Sequence, residues 1–380
     1  MQQAFDQSDA DAFISHPYWA AEYVGLGPFR LSRWEPGAYI EGSAFEGHVL
    51  GRPRIDRVVV RFFQDENAAL TSLLAGDSQY ASGRSLRFEH SVSLRREWDS
   101  GKRGIVLLAP DTSRFVSVQF RPDVVAPRQL LDLRVRQAIV HAVNRDALNA
   151  GLFDGEAEMS DMFMTLYSRY ERVQNMPRAL AEGDGAITHY AYDERKTAQL
   201  MTRAGFARGR DRTFVNAMGD RFSLDVWTHA SPQYEKELAI LIDSWSQAGF
   251  DLHPTVLPAA ALRDGQLRAS FPGLYIASSS RLSSFTTSNI SGPANRWSGN
   301  NRGGWSNPEY DRLAVSFNST LDPDARISQV VQMLKLLSDE LPSWVLYYNP
   351  SVAAHAAALR GPDNGSLNTD VWNVYEWELQ

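Results

Sequence analysis

The residues able to do chemistry in this chain point toward recognition and away from bond-breaking. There is no cysteine and no G-x-S-x-G elbow, so the usual settings for a nucleophilic hydrolase are missing. The eight histidines never fall three or four residues apart, which leaves no helical metal pair. Asp322 and Asp324 are close in sequence, but Leu321-Asp322-Pro323-Asp324 has the pattern of a helix N-terminus. Acid–base hydrolysis would need two carboxylates distant in sequence to meet in a cleft. Gly25-Leu26-Gly27-Pro28-Phe29-Arg30 lacks the third glycine of a dinucleotide loop, and Pro28 removes an amide such a loop needs. A turn into a strand accounts for it. Aromatic residues in a polar stretch carry the strongest recognition signal: Tyr275 at a strand end, then Phe285, Trp297 and Trp305. Binding clefts pair apolar walls with a few polar groups. Tyr275 and Trp297 are expected to line such a cleft, and Trp305 to pin the loop. No cofactor and no metal is expected.

These side chains need α/β elements to hold them. Phe29, Leu31, Tyr39 and Ile40 flank a turn at Glu35-Pro36-Gly37, which predicts a hairpin. The run from Ile55 to Phe63 predicts a buried strand, and Asp65 to Asp77 a capped helix with a glycine stop. From Ser82 to Gly104 the chain reads as irregular. Strands over Gly104–Leu108 and Phe115–Phe120 lead to a proline-marked crossing at Pro122–Pro127. Leu131 to Leu148 predicts one amphipathic helix, capped by Asp132 and closed by Gly151. Val135 and Ile139 face its core, while Arg134, Arg136 and His141 face solvent. Helices follow from Tyr192 to Gly205, Glu235 to Gly249 and Asp324 to Glu340. Strands are expected at Leu224–Trp227, Phe250–Leu257, Gly273–Ala277, Trp344–Tyr348 and Trp372–Leu379. Ser278 to Gly304 is long and aperiodic, and loops of that length inside a packed domain usually carry function.

The totals fit a globular chain of 380 residues, 43% hydrophobic and 22% charged, with room for roughly two to three domains. A net charge of -7 argues against nucleic acid as a partner. Residues 84 to 103 form the most basic region, interrupted by Glu89, Glu97 and Asp99. No window reaches the roughly 18 apolar residues of a membrane span. The first nine residues have neither a basic nor an apolar targeting region.

Six segments, in order, resemble the bacterial extracellular solute-binding proteins of family 5, the peptide and nickel class. They are Gly25–Phe29 with Trp34-Glu35-Pro36-Gly37, Asp65–Asp77, Leu131–Arg145, Tyr192–Phe206, Asn300–Leu313 with Trp305-Ser306-Asn307-Pro308, and Asn373–Leu379. The resemblance implies an α/β, two-lobed periplasmic-binding-protein-like fold of the class II type, with mixed sheets flanked by helices. Lobe I would be incomplete and cover residues 1–122, lobe II 123–352, with 353–380 returning to lobe I. It also implies a monomer that captures a small solute by hinge closure and hands it to the transmembrane subunits of an ABC permease. That work is periplasmic or extracellular.

Two departures bear on the solute. Peptide-binding members place an acidic residue after the strand that corresponds to Gly273–Ala277, and this chain has Ser278-Ser279-Ser280-Arg281 there. Arg281 suits an anionic or carboxylate-bearing solute. The family's usual Asn after the lobe-crossing strand is Arg121. The expected ligand contacts are Tyr275, Ser278, Arg281 and Trp297, with Trp34 from the first lobe. The competing readings are the sensor domain of a transcriptional regulator with this fold, and a two-lobe carboxylate hydrolase.

Overall fold

A computed structural model describes residues 10–19, 22–83, 85–99, 102–164, 175–278, 281–362 and 371–380. The serines at 279 and 280, and the first nine residues, lie outside these. The chain divides into two compact units, Met1–Ala109 with Pro350–Gln380, and Pro110–Asn349.

The first unit opens with a short helix, α1 (Ala10–Ile14), and an antiparallel sheet ordered β1 (Phe29–Glu35), β2 (Tyr39–Ala44), β3 (Arg57–Arg61). The β1–β2 hairpin turns where expected, with Gly37 at φ 77° and the Ala38 amide donating to Glu35 O at 3.0 Å. The valine-rich β3 is not buried as its composition suggests. It is an edge strand, and Val60 is 50% exposed. Helix α2 (Glu66–Ala75) begins on the Asp65 carboxylate and stops at Gly76, φ 81°. After the short strand β4 (Tyr80–Ala81) comes α3 (Phe88–Asp99), a helix within the stretch read as irregular. Its apolar residues are few, yet Phe88, Leu94 and Trp98 all turn inward. The two strands expected on either side of residue 110 are one 15-residue strand, β5 (Gly104–Val118), which runs from the first unit into the second. Pro110 does not break it, since a fixed φ is compatible with extended backbone.

In the second unit, the helix read as continuous from Leu131 to Leu148 is two: α4 (Leu133–His141) and α5 (Arg145–Phe153). The amides of Ala142 and Val143 bond only three residues back, at 3.2 and 3.1 Å, and tighten the end of α4. The Asn144 amide is taken by Ser244 Oγ at 3.0 Å, and its side chain caps α5 through the Ala147 amide at 2.9 Å. Gly151 therefore lies inside α5. Arg136 is also corrected: it is only 5% exposed, donates to Leu130 O and Glu340 O at 2.8 and 3.0 Å, and covers the Phe120 ring.

Next come α6 (Met176–Ala186), α7 (Glu194–Arg203) and a small hairpin of β6 (Ala207–Arg208) and β7 (Phe214–Val215). Strand β8 (Ser223–His229), helix α8 (Pro232–Ala248) and strand β9 (Asp251–Leu257) form a parallel crossover, with Leu238, Leu241 and Trp245 buried under the helix. After α9 (Gly265–Arg268), strand β10 (Leu274–Ser278) pairs parallel with β8 and antiparallel with β5. Helices α10 (Pro308–Ser319) and α11 (Pro323–Glu340) precede β11 (Ser343–Ala356). The strand order here is β11-β5-β10-β8-β9.

The last part of β11 returns to the first unit, where Ala354 and His355 pair with Ala81 and Tyr80 of β4. Strands β12 (Leu359–Arg360) and β13 (Glu378–Leu379) close that unit. The terminal strand expected from Trp372 is only these last two residues. A 3-10 turn at Val374–Glu376 precedes it and buries Trp377 against Tyr80, with ring centroids 4.9 Å apart.

Candidate functional site: a polar hub and an aromatic pocket in the second unit

Strand pairing sets Ser278 of β10 opposite Arg114 of β5, and the first turns of α8 bring Gln233, Tyr234 and Glu237 to the same end of the sheet. Arg114 and Glu237 are 1% and 0% exposed. They form a two-point ion pair, Nε and Nη2 each 2.9 Å from a carboxylate oxygen. Arg114 Nη1 donates to Ser278 Oγ at 2.9 Å, and the guanidinium lies 3.7 Å over the Tyr234 ring. The Tyr347 hydroxyl donates to Glu237. Burial works against the Arg114 charge, but the facing Glu237 carboxylate, together with Tyr347 and Tyr234, holds the group above its ordinary pKa. Burial, and then Glu237, push Tyr347 well above the usual phenol range, so it stays a neutral donor.

Beside this hub, Tyr275 is 1% exposed and stacks on Phe271, ring centroids 5.4 Å apart. Its hydroxyl shares a hydrogen bond with His229 Nε2 and lies 3.4 Å from Arg268 Nε. Burial first, then Arg268, Arg114 and Arg302, lower the His229 pKa to about 4. The imidazole is therefore neutral near pH 7.

A pocket opens between β5 and the loop that follows β10. Phe115, Phe163 and Phe285 form a ladder of edge-on rings at 5.6 and 4.9 Å, and Trp305 completes the apolar wall. Ser117, Ser284, Asn300 and Asn301 supply polar lining, and Arg281 and Arg302 the charge. The pocket is small, about 20 Å³, and partly open to solvent, so it takes one group of a solute rather than a whole one. The aperiodic loop is held by Asn301. Its Nδ2 reaches Phe285 O, Thr286 O and Trp305 O at 3.2, 3.1 and 2.8 Å, and the Gly304 amide donates to its Oδ1 at 3.2 Å. Trp305 Nε1 and Asn307 Nδ2 occupy the two oxygens of Glu340 at 2.8 and 2.6 Å. A Cβ on Gly303 would come within 2.1 Å of Val118 O, so only glycine lets the loop lie this close to β5.

The expected contacts are thus distributed. Arg281 lines the pocket, while Tyr275 and Ser278 do not, being engaged in hydrogen bonds with His229 and Arg114. Trp297, at φ 61°, lines a separate open dish of about 490 Å³ with Arg263, Gln266 and Arg296. Arg121 lies 5.6 Å from the Trp297 ring and donates to Ser291 O at 3.3 Å. Trp34 belongs to β1 of the first unit. Sequence reading missed Phe115, Phe163, Asn301 and Arg302. The last two lie within the matched Asn300–Leu313 segment, which was the available signal.

A mixed α/β chain with these strand-end groups has the fold of the two-lobed periplasmic binding proteins. It belongs to the bacterial extracellular solute-binding proteins, family 5, whose model matches residues 7–296. A provisionally named ABC transporter peptide-binding protein of Brucella ovis is 31% identical over 196 residues, 52% of this chain and 33% of its own. Oligopeptide-binding protein AppA of Bacillus subtilis is 21% identical over 372 residues, 94% of this chain and 62% of its own. The AppA structure with a nonapeptide matches at 18% identity and TM-score 0.67, covering 99% of this chain and 71% of AppA. NikZ of Campylobacter jejuni with Ni(L-His) matches at 20% identity and TM-score 0.69, covering 95% and 69%. The chain spans about one third to three fifths of the length of these curated relatives.

Proposed function

We propose that this chain is the solute-capturing part of an ABC-importer binding protein and performs no chemistry on what it binds. The pocket of Phe115, Phe163, Phe285 and Trp305 carries the reading, because it joins apolar walls to converging polar groups at the end of a rigid sheet. A small organic solute, peptide-like or opine-like, inserts one group there and is handed to the permease subunits at the outer face of the membrane. Arg281 touches the solute. Tyr275 and Ser278 act indirectly, by fixing β10, and the Trp297 dish adds contacts to the rest of the solute. The binding protein works as a monomer in the periplasm or outside the cell. Relatives named for oligopeptide and peptide binding favour this over hydrolysis. Thermal unfolding against a solute library, with mass spectrometry of each mixture, tests it. The expected result is a melting shift from a compound recovered unchanged, and formation of product contradicts it.

A further inference from the structure

Among the described residues, the pocket lining contains two guanidiniums, Arg281 and Arg302, and no carboxylate. Arg302 is half-buried, and among the described residues it has no ion pair; its side chain reaches only Asn300 Oδ1, at 3.3 Å. Arg268, which donates to Leu262 O at 3.0 Å and approaches the Tyr275 hydroxyl, likewise has no carboxylate within ion-pair distance among the described residues. Glu340, bonded to the pocket residue Trp305, already has both oxygens engaged. Half-buried cations normally have a counter-charge, since desolvation is otherwise unfavourable.

Resting on the solute-binding reading above, we propose that this pocket seats an anionic group of the solute, a carboxylate, phosphate or sulfonate, with Arg302 as its principal partner and Arg281 at the mouth. The fork of a guanidinium matches two oxygens of such a group. The aromatic ladder beneath it excludes water, and Ser117 and Ser284 supply further donors. Burial, and next the nearby Arg268, lower the Arg302 pKa to about 10, the direction expected of a cation lacking its counter-ion.

Sulfate and acetate are the probes, compared with chloride at matched ionic strength by thermal unfolding of the purified protein. Either anion should raise the melting temperature by about 3 °C over chloride. The gain should vanish in Arg302→Gln, shrink in Arg281→Gln and return in Arg302→Lys. A larger gain with acetate indicates a carboxylate seat, and with sulfate a tetrahedral one. No gain overturns the assignment, as does an equal gain in wild type and both glutamine variants. Arg281 is exposed, so its variant remains informative even if Arg302→Gln fails to fold. If a neutral or cationic solute is released from the denatured protein, the anion seat is wrong and the importer reading survives. Product formation would remove the importer reading instead.

Discussion

Arg114 on β5 and Glu237 on α8 meet by two hydrogen bonds of 2.9 Å with essentially no solvent exposure. Truncating one member leaves the other charge buried and unpaired. Glu237→Ala should therefore cost about 3–5 kcal/mol in urea unfolding. Arg114→Met combined with Glu237→Leu should cost far less than either single change. A double variant as unstable as the singles would show that the pair does not work as a unit.

His229 makes the fold acid-sensitive. Its pKa of about 4 lies below the ordinary histidine value of roughly 6.5, so the unfolded chain takes up the proton first as pH falls. The stability it contributes is complete above about pH 6.5 and is lost as pH falls toward 4. From pH 8 to pH 5 the loss is on the order of 2 kcal/mol from this group alone. His229→Gln should flatten the curve in that window. An unchanged pH profile in the variant would show that the imidazole is not buried neutral.

Arg136 separates what was legible in the sequence from what was not. Its helix reads as amphipathic, which places it on the solvated side and predicts no effect on ligand affinity. In the fold it closes two carbonyls, Leu130 O and Glu340 O. Arg136→Ala should leave affinity nearly unchanged but destabilise the protein by about 2 kcal/mol. Val135 and Ile139 are fully buried, and aspartate at either should prevent folding of the second unit. Wild-type stability in Arg136→Ala would return this residue to the surface.

Gly303 explains how an aperiodic loop becomes a wall. Adding a methyl would drive it into Val118 O and pull the Phe120 amide from Gly303 O, now 2.7 Å away. Gly303→Ala should lower stability by roughly 1–3 kcal/mol and increase hydrogen exchange at the Phe120 amide. Unchanged exchange there would mean that the loop does not depend on this contact.

Elements with strong local signals were readable from the chain: the Gly37 hairpin, the Asp65 to Gly76 helix, and β8, α8 and β9 as separate elements, though not their parallel pairing. The errors fall where long-range bonds override local pattern. Ser244 takes the Asn144 amide and splits one helix into two, and the packing of Trp377 shortens the last strand. The site was half legible. Arg281 and the aromatics stood out in polar sequence, whereas Phe115 and Phe163 look like ordinary core residues until the fold places them on one wall. Tyr275 reads from the sequence as a cleft-wall residue at a strand end; what the sequence does not show is that β8 and α9 bring His229 and Arg268 to its hydroxyl.

The most direct test is to purify the protein from its own host without refolding, denature it, and identify by mass spectrometry any small molecule released in proportion to protein. The expected finding is one solute, which restores a melting shift when added back to ligand-free protein and is recovered unchanged. If no compound from the host's growth medium or extract is retained or shifts the melting curve, or if the retained compound is converted to product, the chain is not the capture component of an importer.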